Sequence, residues 1–506
     1  MSSLRVAFRV DASQQIGTGH VMRCITLAKG LAKQGAKICF IARHMPDYLQ
    51  DLITSQGFNL NILTGNFVIQ QLDELAHAKW LGTSQQQDAD ETIGELASDT
   101  WDWLIVDHYA LDIRWESAMR NSVKKIMVID DIADRNHDCD ILLDQNYYVD
   151  MDLRHKDKVP SGCELLVGPK YALLRDEFAE ARKTIKPRDG IVKRILVFFG
   201  GVDAQNYTGL AIDALSAMKE YQLDVDVVIG ESHPNKYDII NSCKLNGYLC
   251  HIQTQKIAQL MVDADLTIGA GGSATWEKCC LGLPSMVIAT ADNQVKQLSD
   301  LATSGYCYLI EHNNKIIESL KLHIKAVIEN KRLREFLAKN SATLVDGSGT
   351  QRLVKFLISC SSLQLRRATI ADEKSIFDWR NHSSIRQVSL NKDVITWQNH
   401  QVWFESMLQN SNVVMLIAEL DKTPVGVVRY DIKHEQAEVS IYLIQQTESK
   451  GLGYSVLISA EQWLLKMHLS LKEFNATVLE GNNASHLLFK KAGYQLATSH
   501  YKKVIH

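Results

Sequence analysis

Arg9–His20 reads RVDASQQIGTGH, and this stretch decides the fold. Leu4, Val6, Phe8 and Val10 alternate through the segment leading into it, as a strand requires, and Val21, Ile25, Ala28 and Ala32 recur on one helical face after it. A strand that passes through a Gly-containing turn straight into a helix is the opening unit of an α/β fold. Gly17 and Gly19 let the backbone approach a ligand closely, and the helix start offers unpaired N–H groups to an anion. His20 stands at that start. Its imidazole can move a proton near neutral pH, beside a pocket suited to phosphate.

The same alternation extends outward. Lys37–Ala42, Trp103–Val106 (WLIV) and Lys125–Ile129 (KIMVI) read as buried strands, and Asp107 and Asp130–Asp131 follow the last two. His20, Asp107 and Asp130 then all lie at carboxyl ends of parallel strands, where ligands bind in such sheets. A charged stretch around Lys183–Lys193, with Pro187 and Gly190, reads as a linker, and the pattern restarts at Ile195–Phe199 (ILVFF), Asp224–Ile229, Leu266–Ile268 and Ser285–Ile288. The chain changes character near Cys360–Ser362. Leu363–Arg367, Val413–Glu419, Val425–Tyr430 and Glu438–Leu443 read as short strands, Thr423-Pro424 as a turn, Ser375–His382 and Gln398–Asn410 as helices, and a further helix runs to about Met467. The expected domains are 1–185, 190–350 and 363–506: two Rossmann-like halves facing a cleft, then an α+β domain.

Composition agrees with a soluble globular protein. Apolar residues make up 46% and charged residues 23% of the 506, too long a chain for one ordinary core. The net charge of −4, without a basic run, argues against a nucleic-acid partner. No signal-peptide-like start or membrane-length apolar run is present, and ten Cys occur without a CxxC pair. A cytoplasmic protein with reduced thiols, no membrane partner and no metal site is the expectation; oligomeric state stays open.

Residues 269–284, GAGGSATWEKCCLGLP, place Gly272 and Ser273 at a helix start, where amides and one hydroxyl can hold a diphosphate. Glu277, within that helix, can accept bonds from two ribose hydroxyls. Diphosphate and ribose together imply a nucleotide.

With Asp292-Asn293-Gln294 added, this segment resembles the UDP-sugar hydrolases of pseudaminic acid biosynthesis, themselves similar to two-Rossmann (GT-B-like) glycosyltransferases. RVDASQQIGTGHVMRC, VDHYALDIRWE (106–116), VIDDIADRNHDCDILLDQN (128–146) and FFGGVDAQN (198–206) resemble that family's other motifs, in order, across about residues 4–345. The resemblance implies release of UDP from a UDP-2,4-diacetamido-2,4,6-trideoxy-β-L-altrose; water activated by a base on the face opposite the diphosphate would invert the anomeric carbon, and that step requires no metal. His20 would activate or position water, Gly272, Ser273 and Glu277 would hold diphosphate and ribose, and Asn293 would face the sugar. Gly17 and Gly19 would let the first loop close. Asp107 and Asp130 are candidates to orient His20 or bind the sugar, and His108 and Tyr109 to contact substrate; Asp131, Asp134 and Asp138 read as solvated loop carboxylates. Transfer of the sugar to an acceptor, or a regulatory module that only binds nucleotide sugar, are the alternatives.

The last 144 or so residues resemble the GNAT N-acetyltransferases, whose glycine loop before a helix cradles the pyrophosphate of acetyl-CoA. Here that loop reads Glu448-Ser449-Lys450-Gly451-Leu452-Gly453, with an acid where the family has Arg or Gln, and NNASHLLFKKAGY (482–494) resembles its last motif. The resemblance implies acetyl-CoA as co-substrate, contacts from Lys450, Gly451, Gly453 and Asn483, and Glu438 as a possible base. Phe489 stands where many members place the Tyr that protonates the leaving thiolate, so Tyr494, another group or water would serve. Together the two resemblances imply 4-N-acetylation of a UDP-amino-sugar followed by hydrolysis of the product.

Overall fold

The computed structural model describes residues 4–65, 73–185, 188, 191–311, 315–420, 422–445, 452–468, 470–497 and 500–504. They divide into two compact units, Met1–Val354 and Lys355–His506. Both Rossmann halves expected from the sequence lie in the first.

The first sheet contains β1 (Arg5–Val10), β2 (Lys37–Ala42), β3 (Asn59–Ile62), β4 (Trp101–Asp107), β5 (Val123–Ile129), β6 (Ile141–Asp144) and β7 (Glu164–Val167). They are parallel, in the order β3-β2-β1-β4-β5-β6-β7. The second holds β8 (Arg194–Phe198), β9 (Asp224–Ile229), β10 (Leu249–Ile252), β11 (Leu266–Ala270), β12 (Ser285–Ile288) and β13 (Tyr308–Leu309), also parallel, in the order β10-β9-β8-β11-β12-β13. Each sheet reverses its strand order once, between β1 and β4 and between β8 and β11. The loops leaving those strands border a crevice that side chains and ligands can fill.

Both faces of β1 are covered, so the alternation read from Leu4 to Val10 understates its burial: Val6 to Val10 are all buried, Arg9 included. The Arg9 guanidinium is held by Asp11 at 2.6 Å and Asp88 at 2.7 Å. Asp88 also receives Arg43 and the Trp115 indole N–H. A buried charge survives only when paired in this way.

The second unit is a mixed sheet of β14 (Leu363–Arg367), β15 (Val413–Leu420), β16 (Thr423–Lys433), β17 (Gln436–Leu443), β18 (Glu473–Thr477), β19 (Gln495–Ala497) and β20 (His500–Val504). Thr423-Pro424, expected as a turn, belongs to β16. Lys422 makes the reversal with φ +67°, and Pro424 sits opposite Glu419 at an irregularity in the pairing, where a missing N–H is tolerated. β17 and β18 run parallel and pair at Gln436–Glu473, Ala437–Phe474 and Glu438–Asn475. Beyond these positions Val439–Leu443 pairs with β16 alone, so the two strands part. Val428, Tyr430, Val456, Leu457, Leu464 and Phe474 form the core beneath the split.

No helix among the described residues is long and apolar enough to cross a membrane.

Candidate active site

Gly17 turns the chain with φ +78°, a conformation glycine adopts without the cost a side chain would carry, and the helix Gly19–Ala32 starts directly after it. Thr18 makes no side-chain cap, leaving the first turn open. His20 and Arg23, one turn apart, share a helix face. That face looks at the end of β4, because β1 and β4 are neighbours with Val10 opposite Asp107.

His20 Nδ1 lies 2.6 Å from Asp107 Oδ1. Arg23 donates to both Asp107 oxygens, through Nε at 2.6 Å and Nη2 at 2.7 Å, and pairs with Asp131 through Nη1. Burial alone would raise the Asp107 carboxyl, but Arg23 and His20 outweigh it and hold it well below the usual carboxylate range. An ionised carboxylate can only accept, so it places the imidazole proton on Nδ1 and leaves the Nε2 lone pair for a ligand or water.

Tyr109 crosses His20 edge-on, ring centroids 4.6 Å apart, and its hydroxyl donates to Asp131 at 2.9 Å. Burial and the neighbouring Asp131 push the phenol well above its ordinary range, so it stays a donor. Trp80 stacks on Tyr109 at 5.6 Å, and His77 touches both rings.

A cavity of about 170 Å³ opens over this group. Gly19, His20, Arg23, Tyr109 and Asp131 line it from the first half, and Gly272, Ser273, Gln294 and Gln297 from the second. Gly272 has φ +91°, and Ser273 precedes the helix Ala274–Cys280. The buried Lys278 reaches back to donate to the Ala270 carbonyl at 2.9 Å, tying helix to loop.

His20, Tyr109, Gly19, Gly272 and Ser273, named from sequence, therefore meet at one cavity, and Asp107 backs His20. Others lie elsewhere. His108 turns into the sheet, Nε2 3.2 Å from Asp11 while Nδ1 accepts the Ala110 N–H, and does not line the cavity. Asp130 is bonded away from His20. It accepts from Arg135 at 3.0 Å and from the amides of Ile132 and Ala133, and so fixes the loop that carries Asp131. Asp131 is not a solvated carboxylate: it lines the cavity, paired with Arg23 and Tyr109. Glu277 is 3.3 Å from Arg175, outside the cavity lining, and burial raises its carboxyl. Asn293 begins the second position of the helix Asp292–Thr303.

Arg23, Trp80 and Gln297 escaped the sequence reading, and Asp131 was named there only as a solvated carboxylate. Arg23 had a signal, its place three residues after His20. Gln297 had none, because tertiary packing alone brings it to the cavity, and Trp80 had none, because packing alone sets it against Tyr109. Among the described residues no group of His, Cys, Asp and Glu is arranged to hold a metal.

In the second unit Glu438 is exposed on β17 beside the strand split and accepts the Thr477 hydroxyl at 3.1 Å. Gly453 lies in the first turn of the helix Leu452–Met467; Lys450 and Gly451 fall outside the described residues. Asn482 is spent as the cap of the helix Asn483–Lys491, accepting from Ser485, whereas Asn483 is exposed. Tyr494 is no candidate for protonating a thiolate. Its buried hydroxyl donates to Glu461 at 2.8 Å, and Lys503 neutralises that carboxylate at 2.7 Å. Phe489 packs edge-on against Tyr494 in the core.

Residues 194–353 match the glycosyltransferase family 28 C-terminal domain, and residues 362–495 the acetyltransferase (GNAT) domain. An uncharacterised protein of Methanocaldococcus jannaschii is 23% identical over 506 residues, 97% of each chain. The UDP-2,4-diacetamido-2,4,6-trideoxy-beta-L-altropyranose hydrolase of Campylobacter jejuni is 26% identical over 305 residues, 60% of this chain and 98% of the relative. The spore coat polysaccharide biosynthesis protein SpsG of Bacillus subtilis is 24% identical over 358 residues, 70% of this chain and 98% of the relative. The chain thus joins a pair of Rossmann halves, the second of which matches the glycosyltransferase family 28 C-terminal domain, to a C-terminal domain that matches the GNAT acetyltransferases.

Proposed function

We propose that the first unit hydrolyses a UDP-linked 2,4-diacetamido-2,4,6-trideoxyhexose to UDP and free sugar, and that the second acetylates the 4-amino precursor of that substrate from acetyl-CoA. The observation that carries the reading is the His20–Asp107 pair facing a cavity whose opposite wall is Gly272-Ser273. The similarity to the Campylobacter jejuni hydrolase supplies the substrate class.

His20 Nε2 takes a proton from water as the water oxygen bonds to the anomeric carbon. The bond from that carbon to the diphosphate oxygen breaks, and its electron pair leaves with UDP. Asp107 stabilises the imidazolium that forms, as Nδ1–H already points at it. Donors of the Gly272-Ser273 loop meet charge building on the departing diphosphate. Glu277 would hold the ribose, Asn293 the sugar, and Gly17 and Gly19 the closing loop. Attack opposite the leaving group inverts the anomeric centre.

In the second unit the parting of β17 and β18 supports the acetyl-CoA reading. It leaves strand edge exposed, to which an extended amide-bearing arm can hydrogen-bond. Lys450, Gly451, Gly453 and Asn483 would meet the phosphates and arm, and Glu438 would deprotonate the acceptor amine through water. Tyr494 being committed to Glu461, solvent or another group protonates the thiolate.

The test incubates the whole chain with acetyl-CoA and the UDP-linked 4-amino sugar, following CoA and UDP separately. CoA release followed by UDP release is expected. UDP release that requires an added sugar acceptor would instead make the first unit a glycosyltransferase, and no UDP release from the acetylated donor under either condition would end the nucleotide-sugar cleavage reading.

A further inference from the structure

His20 does not have Asp107 to itself. Its Nδ1 lies 2.6 Å from Asp107 Oδ1, Arg23 Nη2 lies 2.7 Å from the same oxygen, and the two nitrogens are 3.3 Å apart. Arg23 Nε holds the other oxygen at 2.6 Å, and the Cys24 thiol donates to it at 3.5 Å. The carboxylate behind His20 is therefore already paired with a guanidinium, which keeps its charge at every working pH. Both charges stand against Nδ1, and they act in opposite senses. A carboxylate beside an imidazole favours the imidazolium, and a guanidinium disfavours it.

The first half also contains the unopposed case. His137 lies 2.7 Å from Glu116 and 3.4 Å from Asp130. Among the described residues Glu116 accepts from His137 and from the Asp138 amide, with no arginine bonded to it. Burial opposes the charge, yet the carboxylates raise this imidazole to about 9. A histidine held in that way is charged at neutral pH and cannot take a proton.

The other groups around His20 leave the balance to Arg23 and Asp107. Tyr109, edge-on to the ring, stays a neutral phenol. Asp131 is engaged by Arg23 and Tyr109. Arg135, 5.7 Å over the Tyr109 ring, is paired with Asp130 and Asp134. His77, against Trp80 and Tyr109, is held below its ordinary range by burial. The second half brings Gly272, Ser273, Gln294 and Gln297 to the cavity, all uncharged.

We propose that Arg23 is a positioning residue that sets the charge of His20: by pairing with both oxygens of Asp107 it cancels the carboxylate's pull on the imidazole, which stays uncharged at neutral pH with Nε2 open to a proton. Asp107 still holds the Nδ1 proton in place. The consequence for rate rests on the hydrolysis reading above; the charge balance does not.

The experiment has two readouts on the whole chain. One is the NMR titration of carbon-13-labelled histidine, in which the resonance that His20→Asn removes reports on His20. The other is the pH profile of kcat/KM for UDP release from the diacetamido donor. In Arg23→Met the His20 midpoint and the acid limb of the profile should both move up by about 1–2 pH units. Release then falls about 10–100-fold on the acid side and recovers to within about threefold at pH 9.5. Arg23→Lys keeps the charge without the fork, so both midpoints should stay within about 0.5 pH unit even where the rate falls. Arg23→Met combined with Asp107→Asn removes both charges and should return the His20 midpoint to that of the unaltered chain. Should Arg23→Met fail to fold, Arg23→Gln, which keeps an N–H for Asp107 without the charge, carries the same expectation. A His20 midpoint unmoved by loss of the Arg23 charge, or a rate loss uniform across pH, overturns the proposal. Midpoints that move as stated in a chain that releases no UDP, the unaltered one included, uphold the charge balance and remove the hydrolysis reading instead.

Discussion

The two Rossmann halves of the first unit share a strand order and differ in what they place at its reversal. In the first half the crevice between β1 and β4 carries charge: His20, Arg23, Asp107 and Asp131, bonded to one another. In the second, the crevice between β8 and β11 opens on backbone and amides, with Gly272, Ser273, Gln294 and Gln297 at the cavity. One topology thus provides a charged wall and an uncharged wall of backbone and amides. Parallel sheets fix where strand ends gather, and the residues just past those ends decide the chemistry.

Removing the reactive group from the charged wall should separate the two most sharply. His20→Ala is expected to lower kcat for UDP release by about 1,000-fold while UDP affinity, read by calorimetry, stays within twofold. Asp107→Asn, which keeps the shape but not the charge that fixes the Nδ1 proton, should cost about 100-fold with the same unchanged UDP binding. If either variant lost UDP affinity and turnover together, the division of labour between the halves would fail.

The amide wall is challenged by Gly272→Ala. Space for the methyl exists, its nearest neighbour being Gln294 Nε2 at 3.7 Å, but φ +91° is unfavourable for any L side chain. A weakening of UDP binding by about 5–30-fold is expected, from a strain of about 1–2 kcal/mol, with the pH profile of turnover unmoved.

Beneath the charged wall lies a buried titratable cluster. His137 lies 2.7 Å from Glu116 and 3.4 Å from Asp130. Burial opposes its charge, but Glu116 and Asp130 outweigh burial and raise the imidazole to about 9. The folded value thus exceeds the unfolded one of about 6.5, so this stabilisation is complete below about pH 6.5 and is lost as pH rises through 9. It amounts to at most about 3 kcal/mol. Urea unfolding at pH 6 and pH 9.5 should show the loss, and His137→Gln should flatten it. The second half has no comparable cluster at its crevice among the lining residues, so an equal pH dependence of the variant would relocate the effect.

The smallest expected change in activity lies in the second unit. Tyr494→Phe should leave the rate of CoA release within about threefold while costing about 1 kcal/mol of that unit's stability, because it removes only the bond to Glu461. A hundredfold slower acetyl transfer would restore Tyr494 as the proton donor.

Local sequence patterns carried much of the fold. β2, β9 and β12 lie where their apolar runs placed them, at Lys37–Ala42, Asp224–Ile229 and Ser285–Ile288. Such runs are legible because a strand covered on both faces must be apolar along its length. Arg9 broke that pattern, since its charge is cancelled by Asp88, far away in the chain. Pro424 misled for a related reason. Proline signals a turn locally, yet an irregular edge of the β15–β16 pairing accommodates it.

What the sequence by itself determined is the order of elements, the glycine turns at Gly17 and Gly272, and His20 at a helix start. These follow from periodicity and backbone sterics, which act over a few residues. The tertiary structure alone decided the partners. It set Asp107 rather than Asp130 behind His20, because β1 neighbours β4 and not β5. It turned His108 inward and Asp131 to the cavity, and it brought Gln297 there from the other half. Hydrogen bonds and charge pairs of this kind depend on distances between segments remote in sequence, and only the packed sheets fix those distances.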